Sequence, residues 1–327
     1  MSEPDTITYM KFLGRMILSV ACIGGLAMAG TDDPSVELVS RFRPLKPTVC
    51  LTYSVTYSML SLELCQMAEA NLMVTEGLWQ GSGGDRPACL AVFRVDTPDT
   101  TGTSCRVVLH NSMTAVMATA PGVEPLRYVK QIRESFRGIF SDTKTSIDES
   151  YDMEGDTVRF RRDDHIAGVV STNLIGVGSD ADQRRSMLNL LGLFFGFGGP
   201  GGCAVEPTRV QLITEGAMVP YELRADADQE ELSVMGHDLT ARRVRARPAA
   251  NSNGHGKAFT LWAANLSAIT EKAGLAGLLD GTSRNLNWQQ VPVVTQTGLK
   301  IGSIRCTLSG IRMIPNGQAV AFNLPPL

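Results

Sequence analysis

The four histidines, His110, His165, His237 and His255, are the first residues to question for catalysis or metal binding. They are scattered along the chain, and none stands in the H-x-x-H or H-E-x-x-H spacing that puts two imidazoles on one metal ion. No G-x-S-x-G elbow occurs, and no Ser/His/Asp or Cys/His set is suggested by order or spacing. The carboxylate pairs Asp163-Asp164 and Glu230-Glu231 fall in polar stretches that read as exposed turns. Gly196-Phe-Gly-Gly-Pro-Gly201 matches G-x-G-x-x-G in form only. It opens no helix, follows no strand and contains Pro200, so it predicts a connector instead of a phosphate cradle. The sequence therefore nominates no catalytic residue, no metal ligand and no cofactor.

Two sets of side chains remain. In Arg242-Arg243-Val244-Arg245-Ala246-Arg247 the alternation on a strand puts Arg243, Arg245 and Arg247 on a solvated face and Val244 and Ala246 on a core face. A net charge of −3 and the lack of interleaved aromatics give no case for a nucleic-acid stripe. Tyr53, Tyr57, Phe194, Phe195 and Trp262 are the candidate ligand-binding residues, because aromatic bodies suit the lining of a cavity for a lipid or other hydrophobic molecule. The same residues equally suit a plain core.

The elements that must position them are mostly strands. Thr48 to Met59 alternates Tyr53, Val55 and Tyr57 with Thr and Ser, a period of two. Further strands are predicted at 69–79, 89–95, 105–110, 127–135, 144–150 and 157–162. Others follow at 209–214, 219–224, 239–247, 259–262, 291–296 and 299–311. Two helices are predicted. Gln183 to Phe195 carries apolar residues at helical spacing, and Asn265 to Leu279 is rich in Ala and Leu. Residues 30–47 read as a polar, proline-bearing lead-in loop. The fold class expected is mainly β, a large curled antiparallel or barrel-like sheet with two short helices.

The N-terminus sets the compartment. Lys11 and Arg15 precede an uncharged run from Met16 to Met28, closed by Ala27-Met28-Ala29. A basic region, an apolar run of about 7–15 residues and an A-x-A end make a secretory signal. Residues 1–29 are thus expected to be removed, and the protein is expected in the periplasm or cell envelope. The loss of Glu3, Asp5, Lys11 and Arg15 leaves the net charge unchanged. No later run approaches the roughly 20 apolar residues of a membrane-spanning helix. Of seven cysteines, all but Cys22 remain, which permits up to three disulfides in an oxidising space.

Several segments, taken in order, resemble an exported bacterial family known only as a domain of unknown function, DUF3108. They are Leu51-Thr-Tyr-Ser-Val-Thr-Tyr57, Glu124-Pro-Leu-Arg-Tyr128 with Val129 to Glu134, and Arg185 to Leu191. Phe259-Thr-Leu-Trp262, Val291-Pro-Val-Val294 and Leu299 to Ile304 complete the series. The chain departs from that pattern by the insertion after Trp262 and by the missing glycine around 59–66. The resemblance covers about residues 48–312, which would form a single domain followed by a tail at 313–327. It implies a curled antiparallel barrel-like sheet and carries over no catalytic residue.

The functional expectation is an exported, non-enzymatic envelope protein that binds a lipid or other hydrophobic ligand in its curled sheet. Two alternatives stand beside it. One is a structural or assembly protein that docks partners through edge strands or the inserted helix; the other is a hydrolase whose site forms only in three dimensions.

Overall fold

The computed structural model describes residues 34–59, 62–81, 84–97, 107–119, 124–137, 142–154, 156–177, 187–189, 191–192, 207–249, 256–275, 290–298 and 303–315. Helix α1 (Pro34–Ser40) and strand β1 (Phe42–Pro44) lead into β2 (Thr48–Met59), β3 (Leu62–Gly81), β4 (Gly84–Asp96), β5 (Val107–Ala118) and β6 (Glu124–Arg137). Then come β7 (Asp142–Glu154), β8 (Thr157–Asp164), β9 (Val169–Gly176), β10 (Met187–Leu188), β11 (Thr208–Thr214), β12 (Ala217–Val234) and β13 (His237–Pro248). The described chain closes with β14 (Phe259–Asn265), helix α2 (Leu266–Lys272), β15 (Gln290–Gly298) and β16 (Ser303–Ile314). Neither helix is long and apolar enough to cross a membrane.

All sixteen strands join one sheet. Its order starts at β10, runs through β11 to β16, passes to β2 and continues in sequence to β9, with β1 paired beside β3. Every pairing is antiparallel except that of β10 with β11. The expected large antiparallel sheet is therefore present, and β9 and β10 end it without pairing to each other.

The sheet nevertheless curls, and its two ends meet across a seam. In the β11–β12 turn the Gly216 amide donates to the Tyr151 hydroxyl on β7 at 3.3 Å. Glu215 and Gly216 both take positive φ (50° and 74°), as a two-residue hairpin turn matching the strand twist requires. A Cβ on Gly216 would stand 2.6 Å from the Phe160 ring of β8, so glycine also permits the close approach. Tyr128, Tyr151 and Phe160 stack along the seam with centroids 5.3 and 4.9 Å apart.

The curl encloses the main core. On β2 the buried residues are Val49, Leu51, Tyr53 and Val55; on β4 they are Cys89, Ala91, Phe93 and Val95. A second core lies on the outer face. There Leu38 of α1 and Phe42 of β1 pack on Trp79, Ala88, Leu90, Val92, Val116 and Val129. Part of the expected lead-in loop is thus structured. Leu38 and Phe42 have an apolar outer face of β3–β6 to cover, and Gly77 admits the Arg43 carbonyl where β1 crosses β3.

Two helical expectations also change. Met187–Leu188 lies on a strand beside Gln211–Leu212, because sheet pairing overrides its helical spacing. The rest of 183–195, apart from 189 and 191–192, falls outside the described residues. The second expected helix appears as α2, which Asn265 caps by accepting from the Ser267 amide at 2.9 Å. Leu266, Ile269 and Thr270 are its buried face.

Cys50, Cys89 and Cys306 are buried free thiols. Burial raises the pKa of all three, that of Cys306 to about 11. Of the six cysteines expected after signal removal, three therefore remain for pairing, and the ceiling falls from three disulfides to one.

Candidate functional site

Three groups of residues could form a site: the β8–β9 hairpin, a set of charges inside the curl, and the aromatic residues Tyr53, Tyr57 and Trp262.

The hairpin is held firmly at both ends. Asp164 accepts from the amides of Ile166 and Ala167 at 3.1 and 2.9 Å, which closes the turn. The His165 amide donates to the Ser146 carbonyl at 2.9 Å, and its Nε2 lies 2.8 Å from Asp148. Arg133 reaches the other oxygen of Asp148 at 2.7 Å. At the base, Ile175 packs on the core, and the Val177 amide donates to the Asp156 carbonyl at 2.9 Å.

Between these anchors β9 is open. Val169 and Val170 are each 55 % exposed, Leu174 is 64 % exposed, and Ile166 in the turn is 57 % exposed. These are four of the seven large apolar side chains that stand exposed among the described residues. Among the described strands β9 pairs only with β8. Its eight residues, Val-Val-Ser-Thr-Asn-Leu-Ile-Gly, include no charge and no proline, the usual guards of a free sheet edge.

This strand is not among those predicted from the sequence. A signal was present: a β-branched run bracketed by Gly168 and Gly176. What hid it is that its apolar residues keep no period of two, since Ile175 is the one side chain of β9 that packs on the described core.

Inside the curl, Glu149 of β7 is 1 % exposed and accepts from three neighbours. Arg162 of β8 approaches one of its oxygens at 3.0 Å, while the Tyr151 hydroxyl and Lys130 of β6 approach the other at 3.2 and 3.5 Å. Glu134 of β6 is also buried. It accepts from the Asn111 amide nitrogen at 2.8 Å, and burial pushes its pKa up to about 7 against the pull of Asn111 and Lys130. A paired carboxylate inside a low-dielectric core positions strands, and here Tyr151 and Lys130 serve Glu149 as its hydrogen-bond and ion-pair partners. No single-sequence signal separates these inward charges from solvated ones, since on β6 and β7 charges occur on both faces.

The predicted aromatic residues divide. Tyr53 is buried, donates to the Pro292 carbonyl at 2.9 Å and meets Phe93 edge-on at 6.3 Å. Tyr57 lies half-buried on the same face of β2. Trp262 sits between the buried Leu261 and Ala263 and so turns to the other face. There its indole donates to Glu230 at 3.0 Å, and Arg305 covers the ring at 5.8 Å. Phe194 and Phe195 lie outside the described residues, as does Gly196–Gly201. The described aromatics of the set therefore do not converge on one cavity.

The arginine-rich strand behaves as its alternation predicts. Val244 and Ala246 are buried, while Arg243 and Arg245 meet Asp226 at 2.7 and 3.0 Å and Arg243 also meets Glu230 at 3.2 Å. The carboxylate pairs expected in turns lie on strands instead: Asp163-Asp164 ends β8, and Glu230-Glu231 lies within β12. His110 sits by Asp96 and His165 by Asp148, far apart in sheet order. Among the described residues no three His, Cys, Asp or Glu side chains gather as a metal site.

At the seam, Pro125, Tyr128, Tyr151, Val158, Asn189 and Ile213 line a cavity of about 10 Å³, room for about one water.

No family model matches this chain, and no curated protein matches it. Among solved structures it is similar to a beta-barrel-like protein of the domain of unknown function DUF1849 from Brucella abortus. The two share 9% sequence identity over 83% of this chain and 98% of that one, with a TM-score of 0.38.

Proposed function

We propose that this chain is an exported, non-enzymatic protein of the cell envelope that docks an extended segment of another protein onto the β9 edge. The observation that carries this reading is the hairpin, an anchored edge strand with exposed apolar side chains, no charge and no described neighbour beyond it. An incoming strand would pair with the backbone groups of β9 that face away from β8 and cover Val170 and Leu174, the mode known as strand addition.

The occupant follows from the surface. A lipid could cover the apolar side chains, but it would leave the edge N–H and C=O groups without partners in an apolar medium, which is costly. A second folded copy would need more surface, since stable globular pairs bury roughly 1,200–2,000 Å² and β9 offers eight residues of edge. A single extended segment fits both limits. The expectation of a lipid or apolar ligand inside the curl gains nothing from the seam cavity, which is far too small for one. Export rests on the basic, apolar and small-residue pattern of residues 10–29.

The test places a photocrosslinking residue at Val170 or Leu174 in cells that make the protein. The reading expects both probes to mark one contiguous segment of one partner protein. It expects Ser171→Glu with Thr172→Glu to remove the adducts while the melting temperature changes little. Adducts to lipid, adducts to a second copy of this chain, or no adduct would overturn it.

A further inference from the structure

The β5–β6 ladder has a gap. Leu109 pairs with Glu134 and Ser112 with Gln131, but His110 and Asn111 have no ladder partners between them. One side chain bridges the gap. The Asn111 carbonyl oxygen accepts from the Arg133 amide at 2.8 Å, and its amide nitrogen donates to Glu134 Oε1 at 2.8 Å. Asn111 is fully buried. The other oxygen of Glu134, Oε2, is buried with no hydrogen-bond partner.

The surroundings decide which form of Glu134 the fold accepts. On β5 the facing group is the neutral Asn111 amide, while His110 turns to the other face beside Asp96. On β4 the cross-strand neighbour of Asn111 is Val95. On β6 the nearest charge on this face is Lys130, whose ammonium lies 3.5 Å from Glu149. On β7 the cross-strand neighbour of Glu134 is Thr145, and Glu149 on the same face is a second negative charge. Arg162 of β8 lies against Glu149. No described cation reaches Glu134 within ion-pair distance.

We propose that Glu134 is a proton-operated latch on the Asn111 gap, closed while its carboxyl is protonated and loosened when the proton leaves to solvent. Ionisation strengthens the Asn111 hydrogen bond but leaves Oε2 as a bare charge in the core, so the ionised form favours opening and hydration of the gap. The inference is independent of the docking reading.

The direction with pH follows from linkage. The unfolded or opened chain loses its Glu134 proton near pH 4.5, whereas the closed chain holds it to about pH 7. The closed state thus has its full stability below pH 4.5, weakens as pH rises to about 7 and levels off above.

Amide hydrogen exchange at residues 109–113 and 132–135, corrected for intrinsic rates, measures the latch. Protection should fall by on the order of 10²-fold between pH 5 and pH 8, at about tenfold per unit over the titrating range. Glu134→Gln keeps an acceptor for Asn111 and cannot ionise, so its protection should stay flat. An equal fall in Glu134→Gln, or no fall in the natural sequence, would overturn the proposal. Should the variant fail to fold, the carboxyl carbon of Glu134 decides the matter by NMR. A midpoint near 7 supports the latch, and one near 4.5 refutes it.

Discussion

Strands β4 and β9 have similar apolar content but different fates. In β4 every residue from Ala88 to Val95 is buried, Arg94 included. In β9 none is buried. The difference lies in position. β4 has strands on both sides, the main core under Cys89, Ala91, Phe93 and Val95, and α1 over Leu90 and Val92. β9 has one neighbour and no described cover. A strand's burial is thus set by its place in the sheet order, and an apolar run left at the edge is a surface awaiting something to cover it.

The comparison breaks most visibly under truncation. Leu90→Ala removes a side chain 1 % exposed between β4 and α1, and should cost about 2–5 kcal/mol in urea denaturation. Leu174→Ala on β9 should change stability by no more than about 0.5 kcal/mol. Equal losses would mean that β9 is packed.

A second prediction concerns the seam that leaves β9 outside. Gly216→Ala adds a Cβ 2.6 Å from Phe160 at a φ of 74°, and should cost about 1–3 kcal/mol. Adding Phe160→Leu should return part of that loss, a coupling measurable by a double-mutant cycle. A smaller cost than at the seam belongs to α2, which follows β14 directly. Asn265→Ala removes the cap on Ser267 and should cost about 1 kcal/mol, read from the same urea curves.

These contrasts also mark what the amino-acid order reveals. Strands with one wet and one dry face were legible, as with Thr48–Met59 and the Arg243/Val244 alternation, because packing imprints a period of two. The reversal between β7 and β8 was legible too, and Glu154 there pairs with Thr157. Four features were not. α1 was masked by the prolines around it, and its role depends on an outer face of β3–β6 that no local pattern describes. Met187–Leu188 carries helical spacing yet pairs with β11. β9 lacks a period because only Ile175 packs on the described core, so no alternation marks the candidate docking edge, whereas the core residue Tyr53 lies in a strand that alternates plainly. The inward charges Lys130, Glu134 and Glu149 were missed for a related reason, since whether a charge points inward is decided by register across four strands.

Residue-resolved hydrogen exchange on the isolated protein tests the central claim, that β9 is an open edge. Amides of β9 that point away from β8 should exchange within about tenfold of unprotected rates, because fraying or uncovered groups open at almost no cost. Amides from Leu90 to Val95 should exchange only through global unfolding, at least about 10³-fold more slowly. If every amide of β9 is as protected as those of β4, the edge is already occupied and the docking account is wrong.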